Sequence, residues 1–175
     1  MEVYQIVLLI LLIVGFSYFL LLFYVISHVI EFSRRLEAKL RAMNILLSEK
    51  ASAIIRIGDD FLSMGAHFSE ADKASLEALP QLVFDPSTYE VVYANRVAVE
   101  DAYKHISFLA STNRWATKSE TYIEAKSLID DIDKNFRQCS VLYNGDLAGY
   151  NYWLTIPGTR LFSFIFGFRK GKQVA

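Results

Sequence analysis

The chain has 175 residues, 53% hydrophobic and 21% charged, with a formal net charge of −1. That length accommodates one ordinary domain plus an extra element. The basic residues are interleaved with acidic ones, which excludes a nucleic-acid-binding stripe, and the single cysteine, Cys139, excludes an internal disulfide.

From Val3 to Ile30 no residue is charged, a run of 28 residues, which exceeds the roughly 20 needed to cross a bilayer as a helix. At about 1.5 Å per residue the run is about 42 Å long, more than a hydrocarbon core of about 30 Å, so it predicts an anchor that tilts or projects. A cleaved signal peptide needs a basic n-region, a shorter apolar core and a small-residue cleavage site. Met1-Glu2 before the run and Glu31-Phe32-Ser33-Arg34-Arg35 after it supply none of these. Lys and Arg are missing on the N-terminal side, whereas Arg34, Arg35, Lys39 and Arg41 follow the run. The positive-inside rule therefore predicts an outside N-terminus and a cytoplasmic domain. The lack of an Asn-x-Ser/Thr acceptor fits a cytoplasmic domain.

Beyond the run, Leu40, Met43, Leu47, Lys50, Ile54, Ile57, Phe61, Met64 and Phe68 alternate spacings of three and four, broken only by Lys50. This is the seam of a helix packed nearly parallel to its partners. Gly65 and His67-Phe68-Ser69 mark a break, after which Ser69 can cap a short helix to about Leu79, with Asp72 three residues on. Pro80 ends it. Asp85-Pro86 is a start signal, because Asp accepts from free amides and Pro lacks the donor that would be orphaned. It predicts a helix from Pro86 to about Ala110 with a seam of Tyr89, Val92, Arg96, Val99, Tyr103, Ile106 and Ala110. Ser111-Thr112-Asn113 reads as a loop.

Ser119 opens the last long helix, which meets no proline before Pro157. Its seam reads Tyr122, Ala125, Ile129, Ile132, Phe136, Cys139, Tyr143, Asp146, Tyr150 and Trp153. Within it, Asn144-Gly145 between apolar residues is a hairpin signal, but Tyr143-Asn144 and Tyr150-Asn151 repeat at a helical interval that puts both tyrosines on the seam. The helical reading wins, with Gly145 and Gly149 each costing about 1 kcal/mol of helix propensity relative to Ala. Pro157-Gly158 is expected to stop the helix. The chain closes on an aromatic patch that includes Phe162, Phe164, Phe166 and Phe168, followed by Arg169, Lys170 and Lys172.

Motifs for chemistry are sparse. Asp131-x-Asp133-x-Asn135 resembles the start of a calcium loop, but Phe136 and Leu142 occupy the places of its Gly and Glu. It and Asp59-Asp60 read as solvated acidic faces. His28, His67 and His105 lie on different segments and none is expected to build a metal face, Cys139 reads as a small core residue, and no phosphate-loop, dinucleotide or nucleophile-elbow pattern occurs. No cofactor, metal or catalytic residue is expected.

Tyr143-Asn144, Tyr150-Asn151, Pro157 and Phe166-Gly167-Phe168 resemble the C-terminal signature of the LemA family, in which a doubled Tyr-Asn is followed by a proline and a terminal Gly-Phe. Glu120, Tyr122, Asp133 and Phe136 fit the same pattern, and the similarity extends over residues 85–168. The N-terminal half agrees in layout and departs in detail. "MNILLSEKASAIIRI" has no proline where the family has a basic-Tyr-Asp-Leu-Ile-Pro-Asn run, and Asn113-Arg114-Trp115-Ala116 replaces a Tyr-Pro-Asp-Leu loop. A divergent member is implied. With it comes an all-α fold: an anchor over residues 1–30, an elongated antiparallel helical bundle over 31–158 and a tail over 159–175. The resemblance further implies a bacterial cytoplasmic-membrane protein that passes the bilayer once and has no established catalytic activity. Some members are associated with internal-membrane or magnetosome biogenesis.

The expected function is a scaffold or protein-interaction protein, homo-oligomeric or bound to a membrane-protein partner, with the membrane itself engaged by residues 3–30. The alternative is a membrane-remodelling factor using the aromatic tail. Tyr143, Asn144, Tyr150 and Asn151 are either core residues with bonded amides or a recognition surface. Phe162, Phe164, Phe166 and Phe168 contact either lipid or protein. A helix leaving the membrane, a second returning and a third leaving again would put the tail far from the bilayer, which favours protein.

Overall fold

The structure, a computed structural model, describes residues 3–113 and 115–174, with the side chains of all of these except Pro157, Leu161, Phe162 and Phe166. Arg114, in the loop that departs from the LemA pattern, lies outside the described residues. Among them every regular element is helical: α1 Val3–Ser63, α2 Glu70–Ala78, α3 Tyr89–Thr112, α4 Glu120–Trp153 and α5 Pro157–Phe166, with single 3-10 turns at Leu79–Gln81 and Ala116–Lys118. The chain divides into two compact units, Glu37–Tyr143 with Val174–Ala175, and Met1–Leu36 with Asn144–Gln173.

In the first unit the predicted stripe of α1 is the core. Met43, Leu47, Ile54, Ile57 and Phe61 are buried with Val92, Val99, Ala102 and Ile106 of α3 and Tyr122, Ala125, Ile129 and Ile132 of α4. Met64 falls off the seam because α1 ends at Ser63 and Gly65 turns the chain with a positive φ of 81°. Ser69 caps α2 through a full capping box: its Oγ accepts from the Asp72 N–H at 3.2 Å, and the Asp72 carboxylate accepts from the Ser69 N–H at 2.8 Å.

Two expectations for α3 are corrected. The helix begins at Tyr89, not Pro86, because Thr88 is the extended residue whose Oγ1 accepts from the Val91 N–H, while the Pro86 carbonyl takes the Thr88 N–H in a turn of its own. Its buried line also runs through Asn95 and Ala102 rather than Arg96 and Tyr103. The half-buried Arg96 instead lays its guanidinium over the Phe136 ring, 5.2 Å from the centroid.

Helix directions differ from the expected out-back-out course. Asn44 meets Asn95 and Lys50 meets Glu100, so α3 runs in the same sense as α1. Along α4 the pairs are Asp60–Ser119, Arg56–Glu124, Lys50–Asp133 and Lys39–Leu142, so α4 runs the opposite way. The connection from Leu82 to Thr88 makes the return that α3 was expected to make: Asn44, well before the end of α1, donates to the Phe84 carbonyl at 2.9 Å.

In the second unit α1 carries no charged residue on any side from Val3 to Ile30. Its large side chains from Val3 to Leu21 are exposed, and Val25, Val29 and Leu36 are buried. Leu147 and Tyr150 of α4, and Leu154 just after it, are buried here too, so the seam passes through Leu147 and leaves Asp146 beside it. Gly149 has a packing reason: a Cβ there would come within 3.0 Å of the Phe32 ring. His28 stacks on Trp153 with centroids 5.2 Å apart, and Tyr24 meets the edge of His28 at 4.4 Å. Pro157 does more than stop α4. It occupies the first turn of a further helix, α5, where its missing N–H costs nothing.

Candidate functional site

Both tyrosines of the repeated Tyr-Asn pairs are buried, Tyr143 at 3% exposure and Tyr150 at 6%. Burial raises the phenol of each above its ordinary value, helped at Tyr143 by the neighbouring Tyr89 and Glu90. Both therefore remain neutral core groups. Asn151, one step off the seam, is half-buried and turned toward the chain's own tail. Its amide donates to the Gly171 carbonyl at 3.4 Å and its carbonyl accepts from the Gly171 N–H at 3.1 Å. The reciprocal pair satisfies both ends of the side chain at one backbone position. Asn144 is half-buried on α4.

The aromatic patch is ordered by α5. Phe164 is exposed on this helix, Gly167 ends it in the left-handed region at φ 72°, and Phe168 is half-buried beyond it. The side chains of Phe162 and Phe166 lie outside the described residues. The expectation that the tail lies far from the apolar run is overturned at Gly158. A Cβ on this residue would come within 2.7 Å of Leu22 Cδ2 and 3.3 Å of the Tyr18 hydroxyl, so the start of α5 lies directly against α1 inside that run. The physical reason is the direction of α4: it ends beside His28 rather than at the other end of α1.

Three polar arrangements in the unit Glu37–Tyr143 lay beyond local sequence reading. Lys50 is 1% exposed, yet its Nζ reaches Glu100 Oε1 and Asp133 Oδ1, both at 2.7 Å, and lies 5.0 Å from the Tyr103 ring centroid. Asp133, read as part of an acidic face, is thus half of a two-carboxylate receptor for one buried ammonium. Asn95 donates to the Val83 carbonyl at 3.0 Å and to Asn44 Oδ1 at 3.4 Å, which pins the connection before α3. His105 Nδ1 lies 2.7 Å from Asp72 Oδ1, and its Nε2 lies 3.8 Å from Asp101 Oδ2. Burial alone would raise the Asp72 carboxyl, but hydrogen bonds from the Ser69 hydroxyl and N–H, with His105, hold it below its ordinary value.

These groups are mutually satisfied. Among the described residues, no buried side-chain nitrogen or oxygen lacks a partner, and no cluster of three or more His, Cys, Asp or Glu has a metal-binding arrangement. Asp72 and Asp101 meet opposite nitrogens of His105, so the three side chains do not converge on one point. Ser119 also serves two helices: its Oγ accepts from the Tyr122 N–H and donates to Asp60 at 2.6 Å. An open groove of about 520 Å³ beside Ser48, Ser52, Arg56, Glu124 and Leu128 is crossed by the Arg56–Glu124 ion pair. Cys139 is half-buried with its Sγ 3.5 Å from the Lys39 carbonyl, and burial pushes its thiol up, away from the reactive thiolate. No family model, curated protein or solved structure matches the chain.

Proposed function

We propose that the chain is a membrane-anchored helical scaffold or protein-interaction protein of the LemA type, without catalytic activity. One observation carries this reading: α1 contains a stretch long and apolar enough to cross a membrane, and that stretch is exposed on all sides. A helix that is hydrophobic all round belongs in a nonpolar solvent. In this reading residues 3–30 span a bacterial cytoplasmic membrane with the N-terminus outside. The following helices form a bundle in the cytoplasm that recruits a second copy or a membrane-protein partner. The buried polar pairs at Lys50 and Asn44 support it, since such groups fix register in packed helices.

The test is expression of the full chain in bacterial membranes, alkaline carbonate washing, extraction in mild detergent, measurement of the assembly size and mass spectrometry of what co-purifies. The expected result is a carbonate-resistant chain in an assembly larger than a monomer. Release by carbonate overturns the anchor, and a monomer without partners overturns the scaffold. A second reading, a membrane-remodelling factor, is favoured by the contact of Gly158 with Leu22 and Tyr18. Tubulation of vesicles by the reconstituted full chain distinguishes it.

A further inference from the structure

The two ends of α5 are held in different ways. Its start is fixed by Gly158, whose missing Cβ admits Leu22 and Tyr18 of α1. Those residues precede Glu31, the first charge after the apolar run, by about 13–20 Å of helix. Its end is leashed. After Gly167 the chain has only three residues before Gly171 is bound to Asn151, and the four steps from Gly167 to Gly171 span at most about 14 Å. Asn151 lies two positions before Trp153, which stacks on His28 close to the charged end of the run. The chain therefore enters beside the apolar run and is drawn back toward its polar end over one short helix.

Beyond Arg160, an exposed cation near its start, the chemistry of α5 follows the same order. Phe164 is 88% exposed, more than any other large hydrophobic side chain among the described residues, and Ile165 beside it is 64% exposed. Arg169, Lys170 and Lys172 follow, all exposed, at the point where the chain is drawn back. An apolar helix surface followed by a cluster of cations is the composition of a segment lying at the boundary between acyl chains and headgroups.

We infer that α5 is a re-entrant interfacial helix. Phe164 and Ile165 enter the acyl layer that surrounds the apolar run, and Arg169, Lys170 and Lys172 meet anionic headgroups. The occupant of this exposed surface is lipid, because the surface continues from the bilayer-length run that Gly158 touches. The inference rests on the membrane-anchored reading of residues 3–30.

The test uses the full chain with Cys139→Ser, reconstituted in phosphatidylcholine/phosphatidylglycerol vesicles. An environment-sensitive nitrobenzoxadiazole label is placed at one introduced cysteine at a time: Leu12→Cys in the run, Phe164→Cys or Ile165→Cys in α5, and Val141→Cys on the exposed face of α4. The expected result is that spin-labelled lipid removes more than about half of the emission at positions 12, 164 and 165, while aqueous iodide quenches only position 141. Lipid quenching at 12 with iodide quenching at both 164 and 165 overturns the inference and leaves the anchor standing. Shielding of both α5 positions from both quenchers also overturns it, in favour of protein contact. Iodide quenching at position 12 refutes the anchor and the inference with it. The two α5 positions guard against one label disturbing the helix.

Discussion

In the unit Glu37–Tyr143, α1 places Met43, Ile54, Ile57 and Phe61 against other helices with no exposed surface. In the unit Met1–Leu36, its Phe16, Phe19 and Phe23 are each more than 60% exposed. One helix thus follows two rules of burial. Where apolar residues form a stripe, their surface is covered by protein, and the polar groups that must be buried are paired. Where they surround the helix, there is no polar face to give to water, and the surface calls for a nonpolar medium. The polar content differs in the same way. The first unit holds a buried ammonium and two buried asparagine amides inside its core, whereas the exposed run carries no charge at all.

The strongest way to break this contrast is to unpair the buried ammonium. Glu100→Ala with Asp133→Ala leaves Lys50 with only the Tyr103 ring, a loss of about 3–5 kcal/mol for an uncompensated buried charge. Thermal unfolding of the detergent-solubilised chain should shift down by more than about 10 °C. Lys50→Met should cost far less, because Glu100 and Asp133 are both partly exposed and can turn to water. Equal losses for the two variants would show that packing rather than charge governs the site.

Next in size is Asn95→Leu. It strips the Val83 carbonyl and Asn44 Oδ1 of a donor, for about 1–3 kcal/mol in denaturant melts. Ser69→Ala removes the hydroxyl half of the capping box, leaves the backbone N–H bond to Asp72, and should cost about 1 kcal/mol. The box also predicts a pH dependence. The Asp72 carboxyl titrates below its ordinary 3.8 in the folded chain, so its contribution is complete above that value. It is lost as the pH falls through the folded pKa, and Asp72→Asn should flatten this acid limb of stability in circular-dichroism titrations. The smallest effect belongs to the other unit. Phe19→Ala, on the exposed run, should change stability in detergent by no more than about 0.5 kcal/mol, whereas Phe61→Ala on the same helix falls in the class of about 3–5 kcal/mol. Similar losses at the two phenylalanines would mean that the run is covered by protein.

The elements of this contrast were largely legible in the sequence. Three-four spacing marks the buried face of α1 from Leu40 to Phe61 because local geometry sets that period. Ser69 with Asp72 announces a helix start for the same reason, and the paired tyrosines outvote Asn144-Gly145 as a turn because their interval is helical. Direction in space is not a local property. The Leu82–Thr88 connection carries the chain back without a helix, and no period reveals a segment that has none. The misassigned directions of α3 and α4, and with them the tail, follow from that gap. Lys50 stands out as a polar break in an apolar stripe, but Glu100 and Asp133 are 50 and 83 positions away, so nothing nearby distinguishes them from surface carboxylates. Pro157 carries two meanings, stop and start, and only the apolar spacing after it favours the second.

The pair of hydrogen bonds between Asn151 and Gly171 closes a loop 20 residues long around α5. Closure by two hydrogen bonds is reversible, unlike a disulfide, and the entropy of a flexible loop changes by only about 0.6 kcal/mol for each doubling of its length. Opening the loop at Asn151 releases the closure entropy and frees the end of α5, while Gly158 keeps its start beside α1. The side-chain amide acts as a latch that sets how far α5 can travel rather than how strongly it is held. Asn151→Ala should widen the distribution of α5 positions in double electron–electron resonance between labels at Phe164 and Leu12 while leaving their mean distance nearly unchanged.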